Sequence, residues 1–132
     1  MMKTIQIRTS ERVELIDITS TVQAYVSEKG TLNGIIIIYV PHTTCGITIN
    51  EHADPDVVRD IKMQLGKLAP ENAGYHHYEG NSDSHVKSSL IGASETVIIS
   101  NSQLLLGTWQ GIFLCDFDGP RTRNVHLKIM AD

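Results

Sequence analysis

The run Gly34-Ile35-Ile36-Ile37-Ile38-Tyr39-Val40 constrains this chain more than any other stretch. Consecutive β-branched side chains sit well on a pleated surface. The run has the length of a buried strand, and it falls far short of the roughly 18 apolar residues a spanning helix needs. It predicts a central strand, with the rest of the chain arranged to cover it.

The neighbouring segments fit such a sheet. Thr4-Ile5-Gln6-Ile7-Arg8 and Arg12-Val13-Glu14-Leu15 alternate and read as half-buried strands joined by a turn near Ser10. Ser20 and Gln23 have capping-box spacing, and Gly30 can stop a helix over about residues 20–29. Gly46-Ile47-Thr48-Ile49-Asn50 is a further strand. Asp54 and Pro55 then open the clearest helix, whose Val57, Val58, Ile61, Leu65 and Leu68 recur on one face, with Pro70 just beyond its end. A shorter helix is expected from Ser84 through Val86 and Leu90 to Gly92. After residue 95 come Thr96–Ile99, Leu104–Leu106, Gly111–Leu114 and Val125–Ile129, whose short connections favour antiparallel pairing. The expected fold is one α+β domain over residues 1–132, mainly antiparallel sheet folded as a sandwich or half-barrel, with two or three short helices.

Charge and targeting signals narrow the function. Eleven basic and 15 acidic residues give a net charge of -4 with no basic stripe, which argues against a nucleic-acid partner. The N-terminus alternates and lacks the apolar core of a signal peptide, so no membrane association and a cytoplasmic location are expected. In a reducing compartment Cys45 and Cys115 are expected as free thiols. Cys115 reads as a small core residue. Cys45 lies three residues from His42, a spacing that does not orient the pair for nucleophilic catalysis.

Five of the six histidines lie between positions 42 and 85. Imidazole is the commonest protein metal ligand, so His42, His77 and His85 are candidate ligands for a divalent ion. Each histidine also has a plainer reading. His126 alternates with Val125 and Leu127 and belongs on a surface; His52 fits a solvated strand-to-helix turn. His76 and His77 point opposite ways in extended chain, and periodicity does not choose between them. Glu79 can coordinate a metal or orient a histidine. Lys87, and Arg121 with Arg123 beyond the Gly119-Pro120 turn, can bind an anion, although exposed basic residues at turns are common. Trp109 and Gln110 between Gly107 and Gly111 suit a pocket wall or a tight core corner equally.

Taken in order, His42-Thr43-Thr44, Ile47 through Val57, His77-Tyr78-Glu79-Gly80-Asn81 with His85-Val86-Lys87, Leu106 through Gly111, and Asp118-Gly119-Pro120-Arg121 resemble the YjbQ-like family, also called secondary thiamine-phosphate synthase. The resemblance spans nearly the whole chain. It implies a compact β-rich homotrimer and a phosphorylated small-molecule substrate. The implied reaction joins a hydroxymethylpyrimidine pyrophosphate to a thiazole phosphate and releases pyrophosphate. It implies catalytic roles for Glu79, Asn81 and Lys87, anion contacts from Arg121, Lys87 and Asn81, and a metal at His42, His77 and His85. Histidine ligands favour zinc, whereas pyrophosphate chemistry favours magnesium on oxygen ligands. A metal-dependent hydrolase and a non-catalytic metal- or ligand-binding module therefore stand as alternatives.

Overall fold

The computed structural model describes residues 2–132. The elements run β1 (Met2–Arg8), β2 (Glu14–Asp17), α1 (Thr19–Lys29), β3 (Gly34–Tyr39), β4 (Cys45–Glu51), α2 (Pro55–Leu68), α3 (Ser82–Ile91), β5 (Ser94–Ser100), β6 (Gln103–Leu104), β7 (Gln110–Asp116) and β8 (Thr122–Ala131). One sheet has the order β1-β8-β3-β5-β6 and the other β2-β7-β4, and every pairing among the described residues is antiparallel. The fold is α+β and mainly antiparallel sheet, as expected. No helix among the described residues is long and apolar enough to cross a membrane.

The isoleucine strand β3 lies at the centre of the larger sheet, between β8 and β5. Only one of its faces enters the core. Ile36 and Ile38 are fully buried among Val97, Leu127, Ile129, Ile47, Ile112 and Leu114, and α1 adds Val22, Tyr25 and Val26 to the same cluster. Ile35 and Ile37 are half-buried on the other face, where Ile35 pairs with Ile98 and with Met130. Ile98 and Met130 are more than half exposed. The strand is therefore apolar on both sides but covered on one.

The turn near Ser10 joins strands of different sheets: β1 pairs with β8, and β2 pairs with β7. Ser20 and Gln23 form no capping box. Asp17 instead accepts from the Thr19 N–H at 2.9 Å and from the Thr19 hydroxyl. Gln23 turns to β6, accepting from the Leu104 N–H at 2.9 Å and donating to the Ser102 carbonyl at 3.0 Å.

Helix α2 starts as expected, with Asp54 Oδ1 accepting from the Asp56 N–H at 2.9 Å and Pro55 in the first turn. Val58, Ile61 and Leu65 cover Phe113, Cys115 and Phe117, on the face of the smaller sheet away from the main core. Leu68 leaves this stripe and is exposed. Helix α3 reverses the usual pattern. Asp83, Ser84, Lys87 and Ser88 are buried, while Val86 and Leu90 face solvent. The reversal follows from what the helix covers: Ser84 Oγ donates to the Phe117 carbonyl at 2.5 Å, and Ser88 Oγ donates to the Cys45 carbonyl.

Candidate functional site

Three segments meet at one open cavity of about 410 Å³. The stretch after β3 supplies Pro41, His42, Thr43 and Thr44. The approach to α3 supplies His77, Glu79, Asn81 and His85, and the β7–β8 connection supplies Asp118, Arg121 and Arg123. Strand β3 delivers His42 to the rim, and α3 carries His85 on its first turns.

The β7–β8 turn is held from beneath by Asp116, which is fully buried. It accepts from Arg123 Nη2 at 2.8 Å, from the Thr9 hydroxyl at 2.7 Å and from the Asp118 N–H at 3.0 Å. Burial alone would raise the Asp116 pKa; the Arg123 and Thr9 hydrogen bonds outweigh it, and the carboxyl stays below its ordinary value. The turn requires glycine at 119. A Cβ there would stand 2.7 Å from Thr9 Oγ1 and 2.8 Å from Asp116 Oδ2, inside contact distance. The Gly119-Pro120 peptide bond is cis.

Above this base, Asp118 Oδ2 accepts from Asn81 Nδ2 at 2.8 Å and from Arg121 Nη2 at 3.1 Å, and the Asp118 carbonyl accepts from Arg121 Nε at 2.9 Å. These bonds aim the half-exposed Arg121 while using only two of its five N–H groups. Asn81 Oδ1 and Arg123 Nε, both buried, have no hydrogen-bond partner among the described residues. Such groups concentrate where polar chemistry is done.

His42 Nε2 accepts a hydrogen bond from the Asn124 N–H at 3.0 Å. Burial first, and then the nearby Arg123 guanidinium, hold this imidazole below its ordinary pKa. A neutral ring is what that bond requires, since only an unprotonated Nε2 can accept it. The His77 and His85 rings meet edge to face with centroids 5.5 Å apart, and Glu79 lies 3.8 Å from His77. His76 is exposed and does not line this cavity, so His77 is the member of the pair that faces it. Among the described residues, no group of three or more His, Cys, Asp or Glu is placed to hold a metal ion.

Of the residues singled out in the sequence, the fold brings together His42, His77, His85, Glu79, Asn81 and Arg121. Lys87 does not line the cavity. It is buried, with its ammonium 2.8 Å from Asp83 Oδ2, while Arg12 clasps the same carboxylate at 3.0 and 3.1 Å. Arg123 is equally buried on Asp116 and Thr44, so Arg121 is the guanidinium left for a ligand. Asp118, which sequence reasoning left out of the site, organises the others. Its three-residue spacing from Arg121 across a Gly-Pro turn was the available signal.

Both cysteines are free and buried, and burial pushes each thiol up to about 12, so neither supplies a thiolate. His126 sits at the surface as expected, 2.7 Å from the Thr4 hydroxyl and stacked on Tyr39. His52 is not simply solvated, because its Nδ1 lies 2.8 Å from Asp17 Oδ2. Trp109 is 62% exposed, so its turn is not a tight core corner. The turn is closed by the Gly107 N–H donating to Gln110 Oε1 at 2.8 Å.

Residues 3–132 match the family described as UPF0047 protein YjbQ-like. The Bacillus subtilis UPF0047 protein YugU is 53% identical over 99% of this chain and 100% of its own length. A UPF0047 protein of Methanocaldococcus jannaschii is 55% identical over 96% of this chain and 92% of its own. Among solved structures, a YjbQ/UPF0047 family protein of Clostridium acetobutylicum superposes with a TM-score of 0.95 at 50% identity, covering 97% of this chain and 99% of that one. A hypothetical protein of Aeropyrum pernix gives the same TM-score, 0.95, at 31% identity, covering 100% of this chain and 99% of that one. With the match running through every segment that lines the cavity, the chain belongs to the YjbQ-like UPF0047 family.

Proposed function

We propose that the cavity binds a small phosphorylated substrate and that the chain is a secondary thiamine-phosphate synthase. The observation that carries this reading is Arg121: a guanidinium aimed by Asp118, with three N–H groups free, beside three imidazoles in an otherwise acidic chain. A planar fork of this kind pairs with phosphate oxygens. In the reaction, the thiazole nitrogen supplies its lone pair to the methylene carbon of the pyrimidine pyrophosphate. The carbon–oxygen bond breaks, and its electron pair leaves with pyrophosphate. Negative charge thus grows on the leaving group, where Arg121 and an imidazole N–H donor can stabilise it. Asn81, bonded to Asp118, helps hold Arg121 in that direction.

A divalent ion, zinc or magnesium, belongs to the proposal as a separate requirement. The three-imidazole set does not fit it as arranged, because His42 Nε2 already holds the Asn124 N–H. The second reading, a metal-dependent hydrolase, is favoured by the approach of His77 and His85 to 5.5 Å in the cavity that His42 also lines. It requires those rings to turn.

The test supplies both phosphorylated precursors with Mg²⁺ and measures thiamine phosphate and pyrophosphate together. Turnover well below the enzyme median of roughly 10 per second is expected, with Arg121→Ala lower still. Absence of both products in the unaltered protein ends the synthase reading. Zinc-dependent release of phosphate from a simple phosphomonoester would then favour the hydrolase.

A further inference from the structure

A second cavity, of about 560 Å³, lies at the opposite end of β4. The strand leaves the first cavity after Thr44 and ends beside His52, a span of roughly 20 Å for seven residues. This second cavity is lined by Asp17, Thr19, Ser20, Gln23, His52, Leu104 and Leu106. Its volume falls in the range of small-molecule pockets.

His52 is held there from three sides. Its N–H donates to the Trp109 carbonyl at 2.9 Å, and its Nδ1 lies 2.8 Å from Asp17 Oδ2. Gly111 admits the ring against the β7 backbone, since a Cβ at that position would stand 2.5 Å from ring atoms. No side chain larger than hydrogen leaves the imidazole where it is.

The hydrogen-bonding capacity of the polar wall is largely spent within the protein. Asp17 Oδ1 accepts from the Thr19 N–H and hydroxyl, and Oδ2 faces His52. The Thr19 hydroxyl in turn accepts from the Ile112 N–H at 2.8 Å. The Gln23 amide is bonded through both ends, to Leu104 and Ser102. The groups left for a guest are His52 Nε2 and the Ser20 hydroxyl. With the ring proton on Nδ1, facing Asp17 at 2.8 Å, Nε2 presents a lone pair, and a guest that donates complements it. Leu104 and Leu106 make the opposing wall apolar, and the Asp17 carboxylate disfavours an anion.

We propose that this cavity binds a small apolar molecule carrying one hydroxyl donor, an alcohol or a phenol. The hydroxyl donates to His52 Nε2, and the apolar body lies on Leu104 and Leu106. The site is separate from the phosphate-binding cavity and does not depend on the reaction proposed there.

Phenol is the probe, titrated at pH 8 while the imidazole nitrogens of His52 and His126 are followed by NMR. A saturable shift at His52 Nε2, absent at His126, is expected. Anisole, which keeps the ring but lacks the donor, should bind about tenfold more weakly, the loss of about 1.4 kcal/mol. Benzoate should not bind. His52→Phe should lose the preference for phenol over anisole, and Leu106→Trp should abolish binding while the His52–Asp17 bond persists in the spectrum. Amide spectra establish that both variants are folded. Equal affinity for phenol and anisole, a shift no larger at His52 than at His126, or undiminished binding to Leu106→Trp would each overturn the proposal.

Discussion

Arg121 and Arg123 are the same residue type two positions apart, yet their surroundings separate them. Arg123 is buried against Asp116, whereas Arg121 is half exposed on Asp118. Arg121→Ala should therefore weaken pyrophosphate binding about tenfold with little change in stability, because hydrogen bonds to charged groups are worth about 1.5–3 kcal/mol. Arg123→Ala should unfold at lower urea, because it strands a buried carboxylate. Calorimetric titration and urea denaturation separate the two effects; equal pyrophosphate affinity in Arg121→Ala would remove the anion site. Asp83 gives the clearest pH dependence. Burial would raise its pKa, but hydrogen bonds from Arg12 and Lys87 hold it down to about 2. A carboxylate depressed in the folded state contributes stability above its unfolded pKa of about 4 and loses that contribution as pH falls toward 2. The stabilisation is on the order of 2 kcal/mol, and Asp83→Asn should flatten this part of the acid-unfolding curve. On the hydrolase reading, in which the rings turn to form a metal centre, zinc content measured after purification should fall in His42→Ala, His77→Ala and His85→Ala but not in His126→Ala. Undiminished zinc in all three would exclude an imidazole-held ion.

Helix α3 shows how an element can be placed by polar contacts. Its apolar Val86 and Leu90 are exposed, while Ser84 and Ser88 bind carbonyls at Phe117 and Cys45. Asp83 in the same helix is anchored by Arg12 from the segment before β2. Val86→Lys should thus change stability by no more than about 0.5 kcal/mol. Ser88→Val, which leaves the Cys45 carbonyl without that donor, should cost about 1–3 kcal/mol. Chemical denaturation of the two variants tests the orientation of the helix. A larger loss in Val86→Lys than in Ser88→Val would mean that the apolar face is the packed one. The same anchoring matters for the candidate site, because α3 carries His85 and begins just after Asn81.

At the scale of the whole molecule, one layer is left open. Helix α2 covers the outer face of the smaller sheet, and the outer face of the larger sheet presents Ile98, Leu105 and Met130 to solvent. Exposed apolar faces of this kind mark association surfaces. We propose the homotrimer expected from the family resemblance, with this face at the subunit contact. Light scattering at micromolar concentration should give about three times 14.6 kDa. Ile98→Asp should shift the mass toward that of one chain without unfolding it. A monomeric unaltered protein would remove the trimer, and an unchanged mass for Ile98→Asp would move the contact to another face.

By itself the sequence determined the local features: the isoleucine strand, the Asp54-Pro55 helix start and the run of antiparallel strands after residue 95, while the family resemblance marked the His, Glu, Asn and Arg positions now found around one cavity. These are legible because strand propensity, helix capping and turn chemistry act over a few residues. The tertiary structure decided which of those residues are free to act. Lys87 and Arg123 carry the charge an anion site needs, but Asp83, one helical turn before Lys87, and Asp116, across the β7–β8 turn from Arg123, take them into the core, with Arg12 reaching Asp83 from 71 positions away. Asp118 organises Arg121 and Asn81, and His52 meets Asp17 across 35 positions of chain. The reversed face of α3 likewise depended on carbonyls supplied by β4 and by Phe117, just past the end of β7. Pairings between remote segments leave no periodic trace in either segment, so burial and partner choice had to come from the packed fold.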